Sequence, residues 1–387
     1  MYIDKPQLYG AHEGAEYRVR VRAERWTEIL WYRVDPAYRD LLSSDSDAAL
    51  VAMLLPAMYA GEDIFVSGRV SHNLASIIAG PLQDILSIVM PQLSRVRVVF
   101  EDIAHEGRHA PGIATGFSGG IDSFCTLADY YDRPRAPELR VTHLLFNNLG
   151  SHGPGETLFW ERYRRLLPAA QRLDLPFIAV NSNLHELYSS YEGLNFLQTH
   201  TVRNVSAAMA LQNGIGTYLY SSGYRYQDMG LRPTKSFGYS DMVIIPMIST
   251  QQLLAVSVGG EYSRFEKTRK VAKNEIAAEF LDVCVTHKGA KNCGRCGKCL
   301  RTLLTLDVSG ALGEFSAVFD IESYREVRSR FIARCLRSRD PYLVEILDAM
   351  PAHGFKVPLF SKLYAYGRGA MIERIVRDAL GLPRTLW

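Results

Sequence analysis

Pro111-Gly112-Ile113-Ala114-Thr115-Gly116-Phe117-Ser118-Gly119-Gly120-Ile121-Asp122-Ser123 is the stretch that decides how this chain is read. An apolar run from Pro111 to Phe117 delivers the backbone into Ser-Gly-Gly, and helix-forming residues (Phe124, Leu127, Ala128, Tyr131) follow. Strand, tight glycine turn and helix N-terminus together bring free backbone N–H groups and the positive end of a helix dipole onto one point. Two adjacent glycines let the backbone approach an anion closely. Ser118 and Ser123 add hydroxyl donors, and Asp122 is placed to cap the helix or hold a metal ion. The loop reads as a cradle for a nucleotide pyrophosphate. No Gly-Lys-Ser/Thr follows at the spacing of a Walker loop, and Gly-x-Gly-x-x-Gly is absent.

Around this loop the chain alternates apolar strands with helices. Val141 to Phe146, Pro176 to Val180, Thr217 to Ser221 and Met242 to Pro246 read as strands. Gly155 to Leu173 and the region of Ser206 to Leu211 read as helices. The expected fold is α/β, a doubly wound, mostly parallel, Rossmann-like sheet. Ligands bind such sheets at the carboxyl ends of the strands. There the sequence puts its polar clusters: Ser118-Gly119-Gly120, Asn147-Asn148, Asn181-Ser182-Asn183 and Ser221-Ser222-Gly223.

The first hundred residues have a different rhythm. β-rich pieces (Tyr17 to Val21, Ile29 to Val34, Ile64 to Val70, Val96 to Phe100) are interrupted by helical stretches, Asp47 to Tyr59 and Ser71 to Met90, the second broken at Pro81. Asp102 to Pro111 reads as a linker, and the chain after Cys299 as helical. The expected domains are a small α+β unit over 1–105, the nucleotide-binding domain over 111–304, and a helical extension over 305–387.

Composition bounds the function classes. The chain has 387 residues, 47% hydrophobic and 22% charged, so it can bury more than one core. A net charge of +3 does not make a polyanion-coating surface, so no nucleic-acid partner is expected. The charged stretch from Tyr2 to Glu24 has no signal-peptide character, and no run suits a membrane span. A cytoplasmic protein is expected.

Four of the six cysteines, Cys284, Cys293, Cys296 and Cys299, follow C-x8-C-x2-C-x2-C. Short turning segments with Gly294 and Gly297 suit a four-thiolate site. The expected ion is Zn²⁺ in a closed structural site, and the spacing alone also permits an iron–sulfur cluster. Cys125 and Cys335 stand apart; Arg334 and Arg337 could depress the Cys335 thiol pKa, but Cys335 reads better as a surface or core thiol and Cys125 as buried packing.

The loop resembles the Ser-Gly-Gly-x-Asp-Ser signature of the PP-loop ATP pyrophosphatases. Combined with the cysteine spacing, it is similar to the 7-cyano-7-deazaguanine synthase branch of that superfamily over about Gly112 to Leu304. Arg203-Asn204, read as opening a helix that leads to the strand ending at Gly223, looks like a further element of that branch. Here Thr250 is followed by Gln251, where the branch has Thr-Lys.

The resemblance implies cleavage of ATP between its α and β phosphates. A carboxylate or carbonyl oxygen is adenylated, and a nitrogen nucleophile then displaces AMP. It implies ATP and Mg²⁺ beside the Zn²⁺, with Ser118, Asp122, Ser123, Arg203 and Lys267 catalytic. Gly116, Phe117, Ser118, Gly119, Gly120, Asp122, Ser123, Asn147, Asn148, Asn204, Gly223 and Arg264 would bind the nucleotide. The expected partners are a small-molecule carboxylate, such as a deazapurine acid, or a partner protein in a defence-type system, with a separate ammonia donor. Self-association as a homodimer stays open. Two alternatives stand: sulfur transfer to tRNA or a small molecule, and a non-catalytic ATP-binding component of a larger complex.

Arg264 and Lys267, three residues apart, share a helix face toward the phosphates; Arg269 and Lys270 extend the basic run. Asp228, Asp241, His152, His200, Tyr224 and Tyr226 are lesser candidates. Each reads as well as an ordinary loop or surface residue.

Overall fold

The computed structural model describes residues 1–11, 14–134, 136–153, 155–285 and 292–367. The chain forms two compact units. One comprises Met1–Phe117 with Asp129–Glu261; the other comprises Ser118–Ala128 with the chain from Tyr262 onward.

The first unit is built on one sheet of 11 strands. Strands β1 (Tyr2–Ile3), β2 (Gln7–Ala11), β3 (Gly14–Arg22), β4 (Thr27–Val34), β5 (Ile64–Ser71) and β6 (Val98–Ala104) come from the first part of the chain. Strands β7 (Gly112–Gly116), β8 (His143–Asn148), β9 (Phe177–Ser182), β10 (Ile215–Ser221) and β11 (Leu254–Val258) follow. The order is β11-β10-β7-β8-β9-β4-β3-β1-β5-β6, with β2 on β3. All pairings within the β11-to-β9 block are parallel. Strand β9 is buried along its whole length and β7 nearly so, as expected for strands covered on both faces.

The chain runs β7, β8, β9 in one direction and then returns to the other side of β7 for β10 and β11. The strand order therefore reverses between β7 and β10, where ligands bind such sheets. The α/β architecture with a mostly parallel sheet agrees with the alternation of strands and helices and is compatible with a Rossmann-like fold.

The N-terminal strands are not a separate layer. Strand β4 pairs antiparallel with β9 (Tyr32↔Ser182, Arg33↔Asn181), so one sheet crosses the expected boundary at 105–111. Residues 102–104, expected in the linker, continue β6. The two helical stretches of this region fall where the sequence places them, the second as two helices. Asp47–Ala60 is stopped by left-handed Gly61, and the break at Pro81 separates His72–Ala79 from Pro81–Val89.

Two other expectations are overturned. Met242 to Pro246 is not a strand but lies in the helix Asp241–Met247, which turns Ile244 and Ile245 into the core. A short apolar run carries no periodicity that separates strand from buried helix. The sheet position is filled by β11, whose pairing with β10 runs from Thr217↔Leu254 to Ser221↔Val258. Arg203-Asn204 does not open a helix either. Helix Phe196–Ala210 starts seven residues earlier, where the Asn195 side chain accepts from the Gln198 N–H at 3.1 Å.

The second unit packs the helix Ile121–Leu127 with Arg264–Val271, Glu275–Phe280, Gly297–Val308, Ile321–Leu336, Pro341–Ala349 and Leu359–Tyr366. The helical expectation for 368–387 lies outside the described residues. Among the described residues no helix is long and apolar enough to cross a membrane.

A buried polar clamp ties the first unit together. The Asp47 carboxylate accepts from the Ser71 N–H (2.8 Å), the Ser71 hydroxyl (2.6 Å) and the Gln212 side-chain amide (2.8 Å). Asp47→Ala leaves these buried donors unsatisfied. It should lower the unfolding free energy by about 1–3 kcal/mol, read by urea denaturation, whereas a midpoint unchanged from wild type would assign the clamp no energetic role.

Candidate functional site

In the second unit the loop Ser118-Gly119-Gly120 turns through Gly119, whose φ of +72° is left-handed and suits glycine. The Asp282 N–H donates to the Gly119 carbonyl at 2.7 Å, anchoring the turn. Ser118 is exposed. The Ser123 hydroxyl turns back to the Gly120 carbonyl at 2.9 Å. No side chain caps the helix Ile121–Leu127, so the expected capping role for Asp122 is not used.

Asp122 instead holds two cations. Arg264 Nη2 donates to its Oδ2 at 2.8 Å, and Lys267 Nζ to its Oδ1 at 3.1 Å. Burial alone would raise this carboxyl. The Arg264 guanidinium and then the Lys267 ammonium more than offset it and hold the group at about 2. Both cations stand on the helix Arg264–Val271, opened by a capping box between Ser263 and Glu266. The Glu345 carboxylate also accepts from the backbone N–H groups of Arg264 and Phe265, at 3.2 and 3.1 Å. Lys267 is 2% exposed. A buried ammonium needs an anionic partner, and Asp122 supplies one. Of the rest of the basic run, Lys270 lies over the Tyr262 ring and Arg269 is exposed.

The same unit contains the cysteine cluster. The sulfurs of Cys284, Cys293, Cys296 and Cys299 all lie within 4.8 Å of one another, and none is in a disulfide. Gly294, at φ +64°, makes the turn that lets the Cys296 N–H point back at Cys293 Sγ (3.2 Å). Asn292 pins this turn to the segment before it. Its Oδ1 accepts from the N–H groups of Val283 (2.8 Å) and Cys284 (3.0 Å), and its Nδ2 donates to the carbonyls of Leu281 (2.9 Å) and Val318 (3.2 Å). Four converging sulfurs are the donor set of a tetrahedral soft-metal site and suit Zn²⁺.

Lys298 and Arg301 were not singled out from the sequence. Both lie on the helix Gly297–Val308, which starts inside the cysteine cluster. The Arg301 guanidinium stacks over the Tyr342 ring at 4.2 Å, and that of Arg264 stands over the same ring at 5.7 Å. Only their spacing after Cys296 could have marked them, and spacing does not say where a helix points.

The first unit carries the other expected residues. Gly116 ends β7, and Phe117 is core, edge-on to Phe177 at 5.8 Å. At the end of β8, Asn147 Nδ2 donates to Asn204 Oδ1 at 2.9 Å, and Asn148 donates to Asn181 at 2.8 Å. Asn147 Oδ1 is buried without a hydrogen-bond partner. Gly223 follows β10. Arg203 is 2% exposed; it donates to the Leu149 carbonyl at 2.9 Å and lies 3.9 Å over the Tyr188 ring. Its observed work is to hold the chain beyond β8.

Asp241 is fully buried and accepts from Thr201 Oγ1 at 2.7 Å. Burial raises its carboxyl to about 7 despite that bond. Asp228 pairs with Arg225, and the Tyr226 hydroxyl donates to the Ser257 carbonyl at 2.6 Å. Tyr224 stacks on Tyr239 with centroids 3.8 Å apart. His200 Nδ1 and the Tyr220 hydroxyl share a hydrogen bond of 2.7 Å. Burial lowers His152, which lies against Phe146, to about 4.

Cys335 is a buried core thiol, 0% exposed. Burial dominates the Arg334 charge and pushes this thiol up to about 12. Cys125 is also buried, at 1% exposure.

Two outcomes test the second unit. The Asp122 carboxyl sits below its ordinary 3.8, so its stabilising contribution is complete above that value and is lost as pH falls toward 2. Wild type should lose about 2 kcal/mol more than Asp122→Asn between pH 6 and pH 2, measured by denaturant titration at each pH; parallel curves would refute the ion-pair account. Asn292→Ala should speed Zn²⁺ transfer to a chromogenic chelator and lower the melting temperature of the metal-loaded protein, while unchanged transfer would show that the cysteines hold their geometry without it. No family model, no curated protein and no solved structure matches this chain.

Proposed function

We propose that the protein is an AMP-forming ATP pyrophosphatase that activates a carboxylate or carbonyl and passes it to a nitrogen nucleophile. The observation that carries the reading is the Ser118-Gly119-Gly120 turn beside a carboxylate, Asp122, gripped by Arg264 and Lys267. In this reading the chemistry is attack of a substrate oxygen on the α-phosphorus, loss of pyrophosphate, and displacement of AMP by the amine or ammonia.

The polyphosphate is assigned to the loop N–H groups, the Ser118 hydroxyl, Arg264 and Lys267. The donor set suits the group, since the loop offers main-chain donors and the helix beside it offers cations. Two fixed cations stabilise charge that develops on a departing pyrophosphate, and they need no reorganisation to do so. Asp122 holds both in position before the anion arrives. Each of its oxygens is engaged by one of these cations, and no role is assigned to the expected Mg²⁺.

The buried Cys125 and the raised Cys335 thiol weigh against sulfur transfer through a free thiolate. The substrate class is the one suggested by the loop and the cysteine spacing together, a deazapurine-like carboxylic acid, or else a carboxylate on a partner protein. Zn²⁺ is assigned to Cys284, Cys293, Cys296 and Cys299 as a structural ion.

Pyrophosphate release by the metal-loaded protein, screened over carboxylate substrates with ammonia, tests this reading. Lys267→Met should reduce kcat/KM about hundredfold or more, with unchanged far-ultraviolet circular dichroism. ATP binding without pyrophosphate release under any condition would favour the non-catalytic, ATP-binding alternative.

A further inference from the structure

We propose that Arg301 and Lys298 are polyphosphate ligands, carried to the Asp122 cluster by the cysteine-held turn, so that the metal centre and anion binding are one coupled device. The proposal rests on the reading that this unit takes a polyphosphate. It adds two ligands and a dependence on metal which that reading does not contain.

The argument begins with placement. Cys296 is the N-cap of the helix Gly297–Val308, and Cys299 lies in its first turn. Lys298 stands between the two cysteines, and Arg301 is two residues beyond the second. Fixing both sulfurs on one ion fixes the direction of this helix start, and with it the origin of both cationic side chains. The Tyr342 ring then serves two guanidiniums, Arg301 at 4.2 Å and Arg264 at 5.7 Å, so Arg301 stands beside a cation already bonded to Asp122. Two guanidiniums at one ring repel, and an anion between them would lower that cost.

The pairing of charges points the same way. Asp122 is shared by Arg264 and Lys267. Of the nearby carboxylates on the helix Pro341–Ala349 and its cap, Glu345 accepts from backbone N–H groups of the neighbouring helix. Asp340 caps its own helix through the Tyr342 N–H at 3.0 Å. Arg301 Nε is buried without a hydrogen-bond partner. A phosphate oxygen would satisfy that donor and offset the crowding of positive charge. The metal segment meets the glycine turn as well, through the Asp282 N–H on the Gly119 carbonyl. Both the main-chain cradle and the added cations therefore trace back to the segment that the four sulfurs fold.

Calorimetric titration of the full chain with inorganic pyrophosphate provides the test, using Zn²⁺-loaded and chelator-treated protein. Arg301→Gln should weaken pyrophosphate binding about tenfold or more, with Zn²⁺ content unchanged. The exposed Lys298→Gln should reduce the salt dependence of binding. Arg301→Lys should fall between wild type and Arg301→Gln. Removing Zn²⁺ should weaken wild type by at least the factor lost in Arg301→Gln, and should weaken Arg301→Gln by less. If wild type binds pyrophosphate and both glutamine variants match it within twofold, or if metal removal leaves affinity unchanged with circular dichroism intact, the coupling is wrong and the phosphate reading survives. If metal-loaded wild type binds neither pyrophosphate nor ATP, both fail.

Discussion

The grip of Arg264 and Lys267 on Asp122 is the contact on which the second unit turns. It joins residues 142 and 145 apart in sequence, so the short piece Ser118–Ala128 is held by chain that arrives long after it. Removing either side would leave charge buried without its partner, which costs far more than an exposed ion pair contributes. The same contact keeps two cations close to a glycine turn whose backbone suits an anion. Stability and the proposed chemistry thus draw on one set of atoms, and this explains why Lys267 is tolerated at near-complete burial.

The cysteine turn is organised by different physics. Four sulfurs within 4.8 Å would repel as thiolates and are stable together only as thiols or around a cation. Asn292 bonds four backbone groups across this region and so sets the geometry before any ion is considered. Chain leaving the cluster becomes the helix that bears Lys298 and Arg301. The four-sulfur cluster and the two cations of the proposed anion site thereby share one stretch of chain.

The first unit shows how a sheet can absorb a segment whose rhythm looks independent. The C-terminal halves of β3 and β4 alternate between covered and more exposed positions, whereas β8 and β9 carry unbroken apolar stretches, Leu144 to Phe146 and Phe177 to Val180. The change of pattern is real, yet the backbone pairing of Tyr32 with Ser182 joins the two kinds into one sheet. A pattern of side chains reports which faces are covered and is silent about which edge a strand joins. Arg203 illustrates the same limit. Its place in the Arg203-Asn204 pair made it a candidate phosphate ligand, and here it is a buried stack on Tyr188 that fixes the Leu149 carbonyl.

By itself the sequence determined the local features of strong signal. The strand–glycine–helix order at Ser118, the parallel alternation, the break at Pro81, the cysteine spacing and the shared face of Arg264 and Lys267 all follow from short-range chemistry. Only the tertiary structure decided that Met242 to Pro246 is helix and Leu254–Val258 strand, that Asp122 binds cations instead of capping its helix, and that Arg301 shares the Tyr342 ring with Arg264. These outcomes depend on burial and on contacts between residues far apart in the chain. Periodicity and spacing carry no information about such contacts.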